Sequence, residues 1–158
     1  MKHLPKHLQP RYRYIAVGLE TWPDADFDRR ELQRAIWREA RSLLGDIGSA
    51  ELDLRVLRFD LTDGAGEGLI RTRRGEVDRA RAVLACVDAV DGAVLGIRIR
   101  GVSGTVRACT ERYLGGQREE AQQSQVAFEN AERRAVVRGA RLDIEIDEAF
   151  AGATDLDL

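Results

Sequence analysis

The residues best suited to chemistry surround one short stretch, where Gly, Val, Ser, Gly and Thr occupy positions 101–105. Arg98 and Arg100 precede this stretch and Arg107 follows it. The residues before it alternate apolar and basic, which predicts a strand, and those after it have the apolar spacing of a helix. A small-residue turn that leads into a helix exposes backbone N–H groups at the positive end of the helix dipole, so it suits a phosphate or a carboxylate.

Helix capping is the alternative interpretation of the same stretch. Ser, Thr and Gly are common at helix starts because they satisfy free backbone N–H groups. The helix that begins at Thr105 is expected to place Val106, Cys109, Tyr113 and Leu114 on one face. Judged from this stretch alone, capping is favoured over anion binding.

Catalytic side chains are scarce outside the N-terminal leader. The only histidines are His3 and His7, and the only cysteines are Cys86 and Cys109. Because both histidines lie in the leader, no Ser or Cys of the body has a His partner there. The spacing of the acidic residues does not match that of a metal site. We therefore predict no catalytic residue and no metal ligand, and we expect both cysteines to lie buried in helices as small apolar side chains.

Periodicity and turn signals predict the elements that position these residues. The expected order is β-α-β-β-α-β followed by a helix, and the first helix starts at Asp28 with a Glu31 capping box and stops at Gly45 or Gly48. The strands are expected at about 13–21, 54–61, 67–73 and 93–100, and the second helix at about 76–90. This order predicts an α+β fold, the ferredoxin-like or RRM-like antiparallel sheet with helices packed on one face, plus a C-terminal helix and tail.

The outward face of that sheet is predicted to be basic. On the expected facing it carries five arginines, namely Arg58, Arg71, Arg73, Arg98 and Arg100. A solvated antiparallel sheet often carries charges on one face, so a plain surface is the alternative to a phosphate-binding stripe. Because the third strand has no aromatic residue for base stacking, contacts to the backbone or shape of structured RNA, or to protein, are expected instead.

Composition divides the chain into a core, residues 1–116, and an acidic extension, residues 117–158. The core holds 20 Lys and Arg against 17 Asp and Glu, and the extension holds 5 against 10. We expect a helix over 117–137, an edge strand over 142–147 and a frayed tail from residue 151. The leader 1–10 has no apolar run of the kind found in a signal peptide, and no stretch approaches the length of a membrane helix, so a cytoplasmic protein is expected.

Several short pieces, in this order, resemble the archaeal ribonuclease P protein component 2 family. They are Leu4-Pro5, Arg13-Tyr14-Ile15-Ala16, Ala35-Ile36-Trp37 with Leu44-Gly45, Gly68-Leu69-Ile70-Arg71, and Gly101-Val102-Ser103-Gly104-Thr105-Val106-Arg107. The resemblance implies a protein subunit of the ribonucleoprotein that removes the 5′ leader of precursor tRNA. It implies that the RNA subunit cleaves, with Mg²⁺ as the cofactor of the complex and none in the protein, and that ribonuclease P RNA, precursor tRNA and other protein subunits are partners.

The resemblance raises Ser103, Gly104, Thr105 and Arg107 to candidate RNA contacts beside the sheet arginines. The chain departs from the family in its charge. The family core is short and basic, whereas this chain is near neutral, with a net charge of −2. Two alternatives stay open on the fold alone: a small-molecule-binding regulatory module, and a scaffold that binds only protein.

Overall fold

Two antiparallel sheets and three α-helices make up the described part of the chain, which in this computed structural model comprises residues 4–116, 121–147 and 149–158. The strands are β1 (Tyr12–Thr21), β2 (Arg55–Thr62), β3 (Ala65–Arg73), β4 (Ala89–Val90), β5 (Ala93–Ser103), β6 (Ala121–Phe128), β7 (Ala131–Arg138), β8 (Arg141–Ile146) and β9 (Ala149–Ala153). The helices are α1 (Arg29–Leu52), α2 (Val77–Cys86) and α3 (Val106–Tyr113), with short 3-10 turns at Lys6–Leu8 and Asp155–Asp157.

The first sheet has the strand order β2-β3-β1-β5-β4. Leaving aside the two-residue β4, this is the antiparallel order of the split βαβ fold, so the predicted ferredoxin-like fold class is confirmed. The second helix was predicted to continue to residue 90. It ends at Cys86 instead, and the chain then forms β4, which pairs with the start of β5 across the Asp91-Gly92 turn.

Helices α1 and α2 pack on one face of the first sheet and form the main core there. Ile15, Val17 and Leu19 of β1 point into this core, where they meet Leu32 and Leu84 of the two helices. Burying a large aliphatic side chain contributes about 1.5–3 kcal/mol, so this core supplies most of the favourable free energy of folding.

The start of α1 follows the sequence prediction, and its end does not. Asp28 accepts a hydrogen bond from the Glu31 N–H, and the Glu31 carboxylate accepts one from the Asp28 N–H, which completes the capping box. Gly45 adopts a left-handed φ of 71° and kinks the helix, but the helix resumes and continues to Leu52. The predicted stop at Gly45 is correct for the first helical segment, and a second segment that was not predicted follows it because Leu52 is buried in the same core.

The extension forms a second sheet, in the order β6-β7-β8-β9. The helix predicted over 117–137 is therefore wrong for residues 121–137, and 117–120 lie outside the described residues. Glu129 and Asn130 both have positive φ and join β6 to β7 as a tight hairpin, which an α-helix cannot contain. The strand predicted over 142–147 exists as β8, but it lies inside the sheet, because the expected frayed tail supplies β9 beside it.

The second sheet has its own small core and a polar contact with the first. Its core contains Ala135, Leu142, Ile144 and Ala153. On the other face of the sheet, Arg138 is 3% exposed; its Nη1 donates to the Gly64 carbonyl at 2.9 Å and its Nη2 to the Thr21 carbonyl at 2.6 Å. Its Nε donates to Asp143 at 2.7 Å, so all three sides of the guanidinium are satisfied. A ring contact between Trp22 and Phe150, with centroids 4.4 Å apart, adds an apolar component.

Candidate functional site

The stretch at 101–105 builds the start of α3. The Thr105 hydroxyl oxygen accepts a hydrogen bond from the Ala108 N–H at 3.1 Å, so Thr105 is the N-cap. Strand β5 continues to Ser103, so the predicted turn of small residues over 101–104 is mostly strand. Gly101 is needed there for space, because a Cβ at this position would clash with the Tyr113 ring. The geometry accounts for Gly101 and Thr105 by packing and capping.

Helix α3 lies on the face of the sheet opposite α1 and α2. The four predicted residues of its apolar face, Val106, Cys109, Tyr113 and Leu114, pack on Ala16 and Leu69. The two helices predicted to share one face, α1 and α2, do so, whereas α3 covers the centre of the outward face of the sheet. Of the two cysteines expected to be buried, Cys109 is buried and Cys86 is exposed, and both are free thiols. Burial raises the pKa of the Cys109 thiol.

Two of the predicted arginines, Arg71 and Arg73, meet other charged residues at the end of the sheet where β1 begins. Asp53 lies there in a left-handed conformation, and we call it, together with Tyr12, Arg55, Arg71 and Arg73, the strand-end cluster. Arg71 Nη2 is 3.5 Å from the Asp53 carboxylate, while Nε of Arg55 and of Arg73 lie 3.9 and 4.0 Å from it. Three guanidinium groups thus share one carboxylate, which leaves this end of the sheet with an excess of positive charge.

Stacking holds the central arginine of this cluster in place. The Arg71 guanidinium lies 4.0 Å from the Tyr12 ring centroid, and the Tyr12 hydroxyl donates to Asp53 at 3.3 Å. Arg71 Nε is buried and has no hydrogen-bond partner within the described residues. A guanidinium that is stacked and held by an ion pair presents its remaining accessible N–H groups in a fixed orientation, which suits binding of a phosphate. Sequence reasoning missed Tyr12, Asp53 and Arg55, although Arg55 stands directly opposite Arg71 in the β2–β3 register.

The start of α3 lies at the same end of the sheet as the strand-end cluster, on the β5 side of β1. Ser103 pairs with Tyr14, and Gly104 is exposed. Arg107 is exposed on the first turn of α3 and forms an ion pair with Glu111 at 2.9 Å. The structure therefore brings Arg71, Arg73, Ser103, Gly104, Thr105 and Arg107 to one end of the first sheet.

The other predicted arginines lie elsewhere on the same face. Arg58 reaches α3, where its Nη1 is 3.3 Å from the Thr110 hydroxyl oxygen. Arg100 donates to Glu67 at 2.8 Å and to the Tyr113 carbonyl at 3.2 Å. Both side chains flank α3 and help to hold it. Arg98 is exposed and lines a cleft at the far end of β5, beside the second sheet.

No group of three or more His, Cys, Asp or Glu side chains within residues 4–116, 121–147 and 149–158 is arranged to hold a metal ion. Among the helices that the structure describes, none is long and apolar enough to cross a membrane. What the described surface offers is guanidinium groups held by packing and ion pairs, which can bind phosphates.

Comparison with known proteins gives one family and one fold. The family model described as Rpp14/Pop5 matches residues 13–114, which run from β1 through α3. A protein of yeast ribonuclease MRP, seen in a cryo-EM structure, is similar in fold with a TM-score of 0.50 and 14% identity, over 73% of this chain and 86% of that one.

Named relatives differ in how much of the chain they match. Ribonuclease P protein component 2 of Natronomonas pharaonis is 58% identical over 158 residues, covering 100% of this chain and 98% of that protein. The protein of the same name from Haloarcula marismortui is 57% identical over 99% of both chains. The one from Methanosarcina mazei is 34% identical over 114 residues, which is 72% of this chain but 93% of that protein, so it has no room for both sheets.

Proposed function

The chain belongs to the Rpp14/Pop5 family, and we propose on this basis that it is a protein subunit of ribonuclease P. The match over residues 13–114 carries the proposal, because it includes the whole first sheet and α3. The protein is part of a ribonucleoprotein, and its partners are an RNA and other protein subunits. The further partner is precursor tRNA, from which the complex removes the 5′ leader, and the complex works in the cytoplasm.

In this proposal the RNA subunit carries out the cleavage with Mg²⁺, and the protein supports it. The arginines of the described surface are held in place by ion pairs and packing. We propose that they keep the RNA in the conformation in which it cleaves its substrate. The strand-end cluster is our first RNA contact. Three guanidinium groups around one carboxylate give it two charges in excess, and an RNA phosphate can replace water around them.

Preorganisation makes this cluster a better phosphate site than a random group of surface arginines. The stacking of Arg71 on Tyr12 and its ion pair with Asp53 restrict the side chain before RNA arrives. An arginine that is already ordered loses less conformational entropy on binding. Ser103, Gly104, Thr105 and Arg107 extend the same surface around the start of α3, while Arg58 and Arg100 lie between this end and the far one.

Reconstitution tests the proposal. The chain is combined with the cognate ribonuclease P RNA and partner subunits, and the rate of 5′ leader removal from precursor tRNA is measured with and without it. We expect omission to lower the rate or the stability of the complex. An unchanged rate and an unchanged complex on omission would overturn the function.

The site is tested separately in the same system. The double variant Arg71→Glu/Arg73→Glu is compared with Arg34→Glu/Arg81→Glu, which reverses two exposed charges on α1 and α2. We expect the first variant to weaken RNA binding by roughly 10- to 100-fold, since each phosphate contact of a charged group contributes about 1.5–3 kcal/mol before screening. Equal losses in both variants would show that the strand-end cluster is not the contact.

A further inference from the structure

We propose that the second sheet completes an RNA-binding cleft at the far end of the first sheet, and that this cleft takes one phosphodiester unit of a single-stranded or looped RNA segment. The inference rests on the proposed function and adds to it a second site, remote from the strand-end cluster. The cleft has a volume of about 440 Å³ and is lined by β1, β3 and β5 on one side and by β7 and β8 on the other.

Glycines form the floor of the cleft. Gly18 and Gly96 lie on β1 and β5, and Gly66 lies on β3. The backbone at Gly96 is open, whereas the Arg100 guanidinium lies over Gly18, so a ligand that approaches the sheet at Gly96 meets this guanidinium beside it. Sites for small ligands have volumes of roughly 300–1,000 Å³, so the cleft has room for a nucleotide but excludes a duplex.

Arginines form the walls. Arg98 and Arg100 come from β5, and Arg138 and Arg141 come from the second sheet. Three of the four have acidic partners: Arg100 pairs with Glu67, Arg138 with Asp143, and Arg141 with Glu20 at 2.9 Å. Glu20 also lines the cleft, and Arg141 neutralises its charge.

Arg98 supplies the charge that remains. Its side chain is exposed, and it forms no hydrogen bond or ion pair with any residue that the structure describes. A guanidinium that stands alone beside three neutralised pairs creates an attractive site for one anion. RNA phosphate is the anion that the proposed function brings to this surface, and a guanidinium can bind it through two N–H groups at once.

Arg138 positions the wall and has no direct part in binding. It is almost fully buried, and its N–H groups are used by the Thr21 and Gly64 carbonyls and by Asp143. These bonds fix β7 against the ends of β1 and β3, which places Arg141 across the cleft from Arg98. A chain with only the first sheet would have the glycine floor and the β5 arginines but no opposite wall.

Site-directed photo-crosslinking tests what occupies the cleft. Gly96→Cys introduces an attachment point without a clash, because a Cβ there would meet nothing closer than the Glu20 carbonyl oxygen at 3.8 Å. The exposed Cys86 is replaced by Ser, and buried Cys109 stays unmodified. The full-length protein, labelled with benzophenone-4-maleimide, is assembled with ribonuclease P RNA and its partner subunits and then irradiated. The control carries the label on the natural Cys86 of α2.

We expect the label at position 96 to crosslink to one confined RNA segment, which the label at Cys86 does not reach. A crosslink only to a partner protein, or none at all, would overturn the RNA assignment of the cleft. In both of those outcomes the proposed function survives if the labelled protein still enters the complex, so the two failures can be told apart.

A charge reversal provides the second measurement. Arg98→Glu is compared with Arg81→Glu, an exposed arginine on α2, by RNA binding over a range of salt concentrations. We expect Arg98→Glu to weaken binding roughly five- to tenfold and to reduce the slope of log affinity against log salt by about 1, as for one lost phosphate contact. If the two variants bind RNA equally well, the cleft holds no phosphate.

Discussion

The two sheets are stabilised in different ways. The first sheet buries large aliphatic side chains such as Ile15, Leu32 and Leu84 between its strands and two helices. The second sheet buries Ala135, Leu142, Ile144 and Ala153 and has no α-helix of its own among the described residues. Its contact with the first sheet relies on the buried Arg138, on ion pairs and on the ring contact between Trp22 and Phe150.

The relatives divide at the same place. Proteins from Natronomonas pharaonis and Haloarcula marismortui match the whole chain, whereas the shorter one from Methanosarcina mazei matches 72% of it. The family model ends at residue 114, so it covers β2 to α3 and nearly all of β1 and leaves out the second sheet. The second sheet lies outside that match, and Arg138 attaches it to the carbonyls of Thr21 and Gly64 at the end of the first sheet.

Removal of the buried arginine should have the largest effect. We expect Arg138→Met to leave the partly exposed Asp143 and the buried carbonyls of Thr21 and Gly64 without their partner, and each buried carbonyl left unbonded costs about 1–3 kcal/mol. Hydrogen exchange should then accelerate in β7 and β8 but not in β1 and β3. Equal acceleration in both sheets would show that the two regions unfold as one unit. Arg107→Met is the control, since its exposed ion pair with Glu111 contributes about 0.3–0.5 kcal/mol.

A methyl group beneath α3 should have the next largest effect. In Gly101→Ala the new Cβ would overlap the Tyr113 ring, which packs directly on Gly101. Overpacking of this kind lowers the free energy of unfolding by about 1–3 kcal/mol. Urea denaturation measures the loss, and alkylation of Cys109 reports whether α3 has lifted from the sheet. Gly104→Ala is the matched control, because its Cβ would meet only the flexible end of Arg13 at 3.4 Å. Similar losses for both glycines would contradict the packing role of Gly101.

Neutralising the acid of the strand-end cluster should increase RNA binding. Asparagine keeps the shape of Asp53 and tolerates its left-handed φ of 47°, so Asp53→Asn removes one negative charge with little change in fold. We expect RNA affinity at low salt to rise roughly two- to fivefold, an increase that high salt should abolish. The same substitution at Asp78, an exposed acid on the first turn of α2, should give no such rise. Reduced affinity of Asp53→Asn would mean that Asp53 orients its arginines more than it competes with RNA.

Alkaline pH should have the smallest effect. It should lower the stability of the first sheet, on which Cys109 of α3 packs. The folded state raises the pKa of the Cys109 thiol by burial, so the unfolded state releases this proton at a lower pH than the folded state does. The contribution of Cys109 to stability is therefore complete below the ordinary thiol pKa, near about 8.5, and is lost as pH rises towards the folded value. Cys109→Ala should remove this part of the pH dependence of urea denaturation, whereas Cys86→Ala should leave it unchanged.

Sequence reasoning succeeded where one local signal decides the structure. The capping box of Asp28 and Glu31 and the apolar face of α3 need only their own neighbours, and both are present. It failed where distant partners decide. The side of the sheet that α3 covers depends on a contact between Tyr113 and Gly101, and the resumption of α1 after Gly45 depends on the burial of Leu52.

The extension shows the same limit more clearly. Its sparse apolar residues fit a helical spacing, yet Val126 and Phe128, and again Ala135 and Val137, also fit the alternation of strands. The Glu129-Asn130 turn was the local signal that could have decided between them, because Asn tolerates positive φ. Among the candidate contacts, the facing of the arginines could be predicted from alternation. Their grouping around Asp53 could not, since it depends on how the end of α1 meets β2 and β3.

The bonds of Arg138 also have a consequence for the order of folding. Its two carbonyl acceptors lie 117 and 74 residues earlier in the chain, at the end of β1 and in the β2–β3 hairpin. Neither carbonyl is in place until β1 and β3 have paired, so the arginine cannot leave water before that step without losing its hydrogen bonds. We therefore expect folding to be sequential, with the first sheet forming before the C-terminal strands associate with it.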